Sequence, residues 1–346
     1  MLLFFAACVY EKGGPPPTCP EPAAVLTRTD PATGYRVIDA EVDADWVPGR
    51  TVPVNVWYPT DDTQGTGARF LDTFVDDHSW VDAGLGDWGG CSRPLVVYSH
   101  GSQAWGGNLS PILRHLVDSG WIAAAPDHLE NTLIDHVDPV PVGFSRTRTA
   151  DVIATIDALE ALPSGDPLRS LVDTSRVLVI GHSFGGQTAW LMSGPEFDQA
   201  ALDARCAEGA CTDAERAAFV GRVDDPRVNA VLPLDGFAHD DLVATAGWAA
   251  ADRPILYLSQ PDDSAFVDAA AAAPTWVEFG DSCHETFTNS PVQCDSFDKE
   301  QGLDLVAAYT SAFAATVQLG IDDPDAAALL DGSTVLDERL TVHLPE

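Results

Sequence analysis

A Gly-x-Ser-x-Gly motif at residues 181–185 constrains this chain more than any other feature. An apolar, mostly β-branched run at 177–180 precedes it and predicts a buried strand, and a helix-compatible stretch begins at Gly186. A serine on a sharp turn between a strand and a helix is a nucleophile elbow, whose glycines let the two elements approach closely. We therefore expect Ser183 to be a nucleophile in an α/β fold.

The rest of the chain alternates between strand-like and helix-like segments. We expect a hairpin over 35–60, a long polar loop over 61–92 and, after the elbow, a polar, helical insertion at about 195–225 within a single domain that spans 31–346. The further predicted strands are 93–101, 121–128, 227–235, 253–263 and 275–287 (the last running into a loop), and the predicted helices are 108–120, 145–162 and 299–320. This alternation predicts a mostly parallel, doubly wound sheet flanked by helices, with active residues at the carboxyl ends of the strands.

The charge of the chain is strongly negative. It contains 18 Lys and Arg residues and 53 Asp and Glu residues, which gives a net charge of −35. Such a surface repels nucleic acid and anionic membranes, so we expect no nucleic-acid partner. It also favours solubility in high salt, and a saline habitat is our hypothesis. No apolar run approaches the ~18 residues that a transmembrane helix needs.

The seven cysteines indicate an oxidising compartment. The first residues end in Phe5-Ala6-Ala7-Cys8, which resembles a bacterial lipobox, although the apolar run is short and no basic residue precedes it. We expect residues 1–30 to be a signal and flexible tether, with a lipidated Cys8 that anchors a secreted or cell-envelope lipoprotein to the membrane. The alternative is a cytosolic protein with buried thiols. For the remaining six cysteines, we expect two pairs that are close in sequence and a third by elimination: Cys206–Cys211, Cys283–Cys294 and Cys19–Cys91.

A serine nucleophile needs a base and an orienting acid, which in this architecture follow the serine in the order acid, histidine. His284 follows a predicted strand and lies in a loop, so it is our predicted base, whereas His239 comes early and His343 lies in the tail. Two strand ends offer the acid, Asp235 and Asp263, and the residues alone leave this choice open.

The oxyanion hole should use two backbone amides. We expect these on Phe184, directly after the nucleophile, and on Ser102, in the loop after the strand LVVYS. The acids and histidines between 127 and 136 match no metal-ligand spacing and are interpreted as a polar loop. We expect neither a metal nor a cofactor.

Several segments together resemble the platelet-activating-factor acetylhydrolase group of α/β-hydrolases, with dienelactone-hydrolase-like enzymes and polyester hydrolases as relatives. The similarity covers most of residues 35–320, and the segments that carry it read RTVPVNVWYP, VVYSHGS, PDHLENT, GHSFGGQT, VLPLDGF and GDSCHETF. The resemblance implies a Ser183, Asp235 and His284 triad with oxyanion donors at Ser102 and Phe184. Polyester and cutinase-like relatives place the acid one strand later, which corresponds to Asp263.

The combined expectation is a monomeric serine carboxylic-ester hydrolase that acts on short-chain esters through an acyl-enzyme. A polyester or cutinase-like hydrolase and a phospholipid acetylhydrolase are narrower alternatives, so the expected partner is a small-molecule ester, a lipid or a polyester. A different class of function is a non-catalytic surface-binding protein on a hydrolase fold, since a fold does not fix function.

Overall fold

The structure is a computed structural model, and it describes Cys19 and residues 21–86, 89–207, 211–236, 242–261, 270, 272, 274–295 and 297–344. Three residues weighed above, Cys8, His239 and Asp263, lie outside the described residues.

An 11-stranded sheet in the order β11-β10-β9-β8-β7-β5-β6-β2-β1-β4-β3 forms the centre of the fold. The strands are β1 (Thr33–Glu41), β2 (Thr51–Tyr58), β3 (Gly67–Phe70), β4 (Phe74–Val81), β5 (Arg93–Ser99), β6 (Ile122–Pro126), β7 (Val172–His182), β8 (Val228–Leu234), β9 (Leu256–Ser259), β10 (Thr275–Phe279) and β11 (Leu340–His343). The run from β6 through β5, β7, β8 and β9 to β10 is parallel, whereas β2 and β11 join it antiparallel. The carboxyl ends of the parallel strands therefore meet at one edge of the sheet.

Helices cover both faces of the sheet. They are α1 (Ser110–Asp118), α2 (Phe144–Glu160), α3 (Pro167–Leu171), α4 (Phe184–Met192), α5 (Gln199–Arg205), α6 (Asp213–Ala218), α7 (Thr245–Trp248), α8 (Lys299–Phe313) and α9 (Pro324–Leu330). Alternate residues of the central strands enter different cores: Val177 and Val179 pack in one, Leu178 and Ile180 in the other. Burial on both faces explains why these strands read as continuous apolar runs. The fold is a mostly parallel α/β-hydrolase sheet, as predicted.

The edges of the sheet differ from the sequence expectation. The polar segment 61–92 is not only a loop, because it contains β3 and β4. The tail forms β11, which pairs antiparallel with β10 and places His343 beside Trp276. β3 and β11 are edge strands of four residues each, and β4, although it lies between β1 and β3, is mostly exposed or half-buried. None of the three has the apolar run that identifies a central strand.

The expected tether also differs from the structure in its described part. The amide of Val25 donates to Ser311 Oγ at 2.9 Å, and Arg28 forms ion pairs with Glu300 and Asp304 on α8. Residues 24–28 are therefore packed against the domain.

Three disulfides link the pairs expected from the sequence: Cys19–Cys91, Cys206–Cys211 and Cys283–Cys294. They are typical of proteins that fold in an oxidising compartment. Among the described residues, no helix is both long enough and apolar enough to cross a bilayer.

Candidate active site

The elbow between β7 and α4 holds Ser183 in a strained backbone conformation, with φ 56° and ψ −119°. Neighbouring glycines are required because a Cβ at Gly181 would lie 1.8 Å from the carbonyl oxygen of Gly185, and one at Gly185 would lie 1.8 Å from that of Ser99. The Ser183 amide donates to the Leu234 carbonyl at 2.9 Å, which ties the turn to β8. The serine is thereby fixed at the carboxyl edge of the sheet.

The next two predicted residues meet at the same edge. Asp235 follows β8, is 4% exposed and accepts a 2.5 Å hydrogen bond from Nδ1 of His284. This hydrogen bond raises the pKa of His284, against an opposing effect of burial. Such a carboxylate fixes the tautomer of the ring, with Nε2 left to accept a proton. Both residues lie where the sequence predicts an acid and a base.

Among the residues that the structure describes, no direct hydrogen bond joins Ser183 Oγ to His284. His284 instead reaches the elbow through His182, whose ring lies 4.6 Å from the His284 ring. Nucleophile-to-base hydrogen bonds are often long without substrate and shorten in the complex.

His182 is buried and connects the elbow to the histidine loop. Its Nε2 lies 2.9 Å from the His284 carbonyl oxygen, and its buried Nδ1 has no hydrogen-bond partner among the described residues. Burial and, secondarily, the neighbouring His284 lower the pKa of His182 to about 4. A neutral ring with its proton on Nε2 donates to the His284 carbonyl, so His182 ties the elbow to the loop that carries His284.

The two expected oxyanion residues, Ser102 and Phe184, line one cavity together with Ser183. No backbone hydrogen bond among the described residues uses the amide of either Ser102 or Phe184. Two available amides beside a nucleophilic serine form the kind of donor pair that stabilises a developing oxyanion.

The cavity beside Ser183 has a volume of about 280 Å³. Its walls combine aliphatic and polar groups. Besides the residues named above, it is lined by Val140, Pro141, Val142, Ser145, Gln187, Arg205 and Leu242. This volume is close to the lower end of the range typical of small-molecule sites.

The polar side chains in the segment after β6 form hydrogen bonds that hold neighbouring parts of the fold together. Asp127 accepts hydrogen bonds from the Gly106 amide and from Asn55, and His128 pairs with Asp151 at 2.8 Å. Among the described residues, no group of three or more His, Cys, Asp or Glu side chains is arranged to hold a metal ion.

Two supporting residues were not identified from the sequence. Gln260, directly after β9, donates to Asp235 twice, from its amide at 2.9 Å and from its side chain at 3.1 Å. Asn131 donates to Ser102 Oγ at 3.1 Å. A position after a strand end is the one local feature that points to Gln260. Asn131 lies in the segment PDHLENT quoted above, but nothing in that segment indicates its contact with Ser102.

Comparisons with known proteins support the fold. No family model matches the chain, and no curated protein matches it either. Among solved structures, it is similar to a ferulic acid esterase from Streptomyces cinnamoneus, with a TM-score of 0.63 and 19% sequence identity, over 93% of this chain and 99% of that one. At this identity the likeness shows a shared α/β-hydrolase fold, whereas the acetylhydrolase resemblance is unsupported by any family match.

Proposed function

We propose that this protein is a serine carboxylic-ester hydrolase that acts on short-chain esters. The observation that carries the proposal is the 2.5 Å hydrogen bond between His284 and Asp235, at the strand edge that holds Ser183 on its strained turn. If Ser183 lay on an inert glycine-rich turn, a buried acid that orients a histidine at the same edge of the sheet would have no function.

In the proposed reaction, Ser183 Oγ attacks the ester carbonyl while His284 Nε2 takes its proton. Asp235 stabilises the resulting imidazolium, and the amides of Ser102 and Phe184 bind the oxyanion. His284 then returns the proton to the leaving alcohol. Water, activated by the same histidine, hydrolyses the acyl-enzyme.

The cavity of about 280 Å³ beside Ser183 is large enough for an acetyl or butyryl group, and its mixed aliphatic and polar lining suits a small ester. Acetylated phospholipid, polyester and feruloyl esters, the last after the ferulic acid esterase neighbour, are narrower substrate candidates.

Initial rates on p-nitrophenyl acetate, butyrate, octanoate and palmitate, and on methyl ferulate, test the proposal. We expect rates to fall with acyl length and Ser183→Ala to lose about 10⁴-fold or more in kcat. Ser170→Ala, on the exposed surface of α3, is the matched control. Undiminished hydrolysis by Ser183→Ala would refute the assignment. If the folded protein hydrolyses none of these esters and no fluorophosphonate labels Ser183, the surface-binding class is favoured.

A further inference from the structure

Arg148 is a fully buried cation that the proposed chemistry does not use. It lies near the start of α2, where its Nη1 donates to Asn131 Oδ1 at 2.8 Å and its Nη2 donates to the carbonyl oxygen of His100. Burial lowers its pKa to about 9, so the guanidinium is still cationic at neutral pH. Burying a charge is costly unless its contacts offset the lost hydration. The placement of Arg148 therefore calls for a specific role.

One set of contacts holds the loop that carries Ser102. Arg148 binds the His100 carbonyl at the start of this loop and orients Asn131. The side-chain amide of Asn131 in turn donates to Ser102 Oγ at 3.1 Å. The backbone carbonyl of Asn131 accepts a hydrogen bond from the Gln103 amide at 3.0 Å. Gln103 has a φ of 57°, a left-handed conformation that persists only where surrounding contacts enforce it.

A second set of contacts reaches the start of α4. The guanidinium carbon lies 4.7 Å from the ring centroid of Phe184, within cation–π range. Arg148 Nε donates to Thr188 Oγ1 at 3.3 Å, and this hydroxyl donates to the Phe184 carbonyl at 3.2 Å. One planar group therefore contacts both segments that supply the oxyanion amides.

We propose that Arg148 is a positioning residue that fixes the Ser102 amide relative to the Phe184 amide and so preorganises the oxyanion hole. This inference rests on the proposed ester-hydrolase function. Donors stabilise an oxyanion only when both lie within about 2.7–3.1 Å of it, and a displacement of about 1 Å can cost about 10²-fold in rate. A rigid, forked side chain holds two such segments better than a flexible ammonium does.

The chain offers a matched control two residues away on the same helix. Arg146 is half-buried, and burial lowers its pKa to about 10. Its guanidinium faces Trp46 and Phe197 and donates to the Ala218 carbonyl at 2.7 Å. Replacing Arg146 by Met thus removes a half-buried cation from α2 without touching the oxyanion segments.

The experiment compares Arg148→Met with Arg146→Met in two measurements: steady-state hydrolysis of p-nitrophenyl acetate, and inhibition by a trifluoromethyl ketone. Ser183 adds to this ketone to form a hemiketal oxyanion, while the serine proton passes to His284. For Arg148→Met we expect kcat to fall about 10²-fold with KM nearly unchanged, and inhibitor affinity to fall by a similar factor. Arg146→Met should change both by less than about threefold, and Arg148→Lys, which keeps the charge without the fork, should recover part of the loss.

The inference is wrong if the two Met variants lose activity equally, or if Arg148→Met changes KM alone. Should circular dichroism show that Arg148→Met is unfolded, Asn131→Ala serves as the second variant: a fall in kcat supports the inference and an unchanged kcat overturns it. Ester hydrolysis that depends on Ser183 but not on Arg148 refutes this inference alone. A wild-type protein that neither hydrolyses esters nor reacts with a fluorophosphonate refutes the proposed function, and this inference with it.

Discussion

At the scale of single residues, backbone strain is concentrated where the chemistry is proposed. Ser183 and Asp235, at the ends of neighbouring strands, both have positive φ, 56° and 44°. Such conformations cost about 1–3 kcal/mol each and persist only where the surroundings enforce them. Here a Cβ at Gly186 would lie 2.6 Å from the Cα of Gly236, so the two turns are packed against each other. The two strained residues therefore lie in turns whose backbones are in close contact.

Replacing Asp235 by Asn should expose the role of the His284 hydrogen bond. As the proposed base, His284 would accept a proton from Ser183 only when neutral, so kcat/KM should fall as pH drops through the raised pKa of His284, above the ordinary ~6.5. Without the carboxylate, this acid limb should move to lower pH. The remaining kcat should be about 10⁴-fold lower, because the ring is no longer held in the productive tautomer. A pH–rate profile from pH 4 to 9 measures both effects.

Asp281→Asn is the matched control for this variant. It removes a carboxylate from an exposed position three residues before His284, and its φ of 58° is one that Asn tolerates. We expect its profile to overlay that of the wild type. An Asp235→Asn profile with an unshifted acid limb and near-normal kcat would remove Asp235 from the triad.

At the scale of elements, the loop that carries His284 is held by several cross-links. Cys283, the preceding residue, is bonded to Cys294, and the Cys283 amide donates to Thr286 Oγ1 at 3.1 Å. Lys299, at the start of α8, donates to the carbonyls of Glu285 and Thr288. The base is thus mounted on a short, closed loop.

Opening this loop should affect both stability and rate. We expect the double variant Cys283→Ser, Cys294→Ser to lose about 3 kcal/mol of unfolding free energy, from the closure entropy of a loop of about 12 residues. Its kcat should fall because His284 samples more positions. Denaturant unfolding and steady-state kinetics on p-nitrophenyl acetate measure the two effects.

The control for this loop is the double variant Cys19→Ser, Cys91→Ser. This disulfide lies just before β5, at the opposite end of the strand from the Ser102 loop. It should lose stability while kcat is retained in the folded fraction. Equal losses of kcat in both double variants would show that the His284 loop has no special role.

The elements also differ in how well the sequence predicts them. Ser183 and Asp235 are predictable because they directly follow central strands, whose burial on both faces produces apolar runs. His284 follows β10 after a short loop and is predictable from the chain order of acid and histidine. The edge strands β3 and β11, and β4 between β1 and β3, lack the apolar pattern. Supporting residues such as Arg148 and Gln260 are not predictable, since their contacts join segments that are distant in sequence.

At the scale of the whole molecule, acidic residues far outnumber the bases that pair with them. Arginines are shared between carboxylates, as in Arg28 with Glu300 and Asp304, or Arg253 with Asp224 and Asp252. The chain has 18 basic and 53 acidic residues, so an excess of 35 acids remains that such sharing does not neutralise. Self-repulsion at net charge −35 then opposes the compact state.

Added NaCl should therefore stabilise this protein. At 1 M salt the screening length is about 3 Å, which suppresses long-range repulsion more than it weakens close ion pairs. We expect Tm to rise by several degrees between 0.05 and 1 M NaCl, where 1 kcal/mol corresponds to about 1–2 °C for a chain of this size. The matched variant neutralises three exposed acids that alternate at and just beyond β1, through Asp39→Asn, Glu41→Gln and Asp43→Asn. It should gain Tm at low salt and respond less to NaCl, because part of the repulsion is already gone. A Tm that is flat across this range in differential scanning calorimetry would contradict the proposed link between the acidic surface and salt.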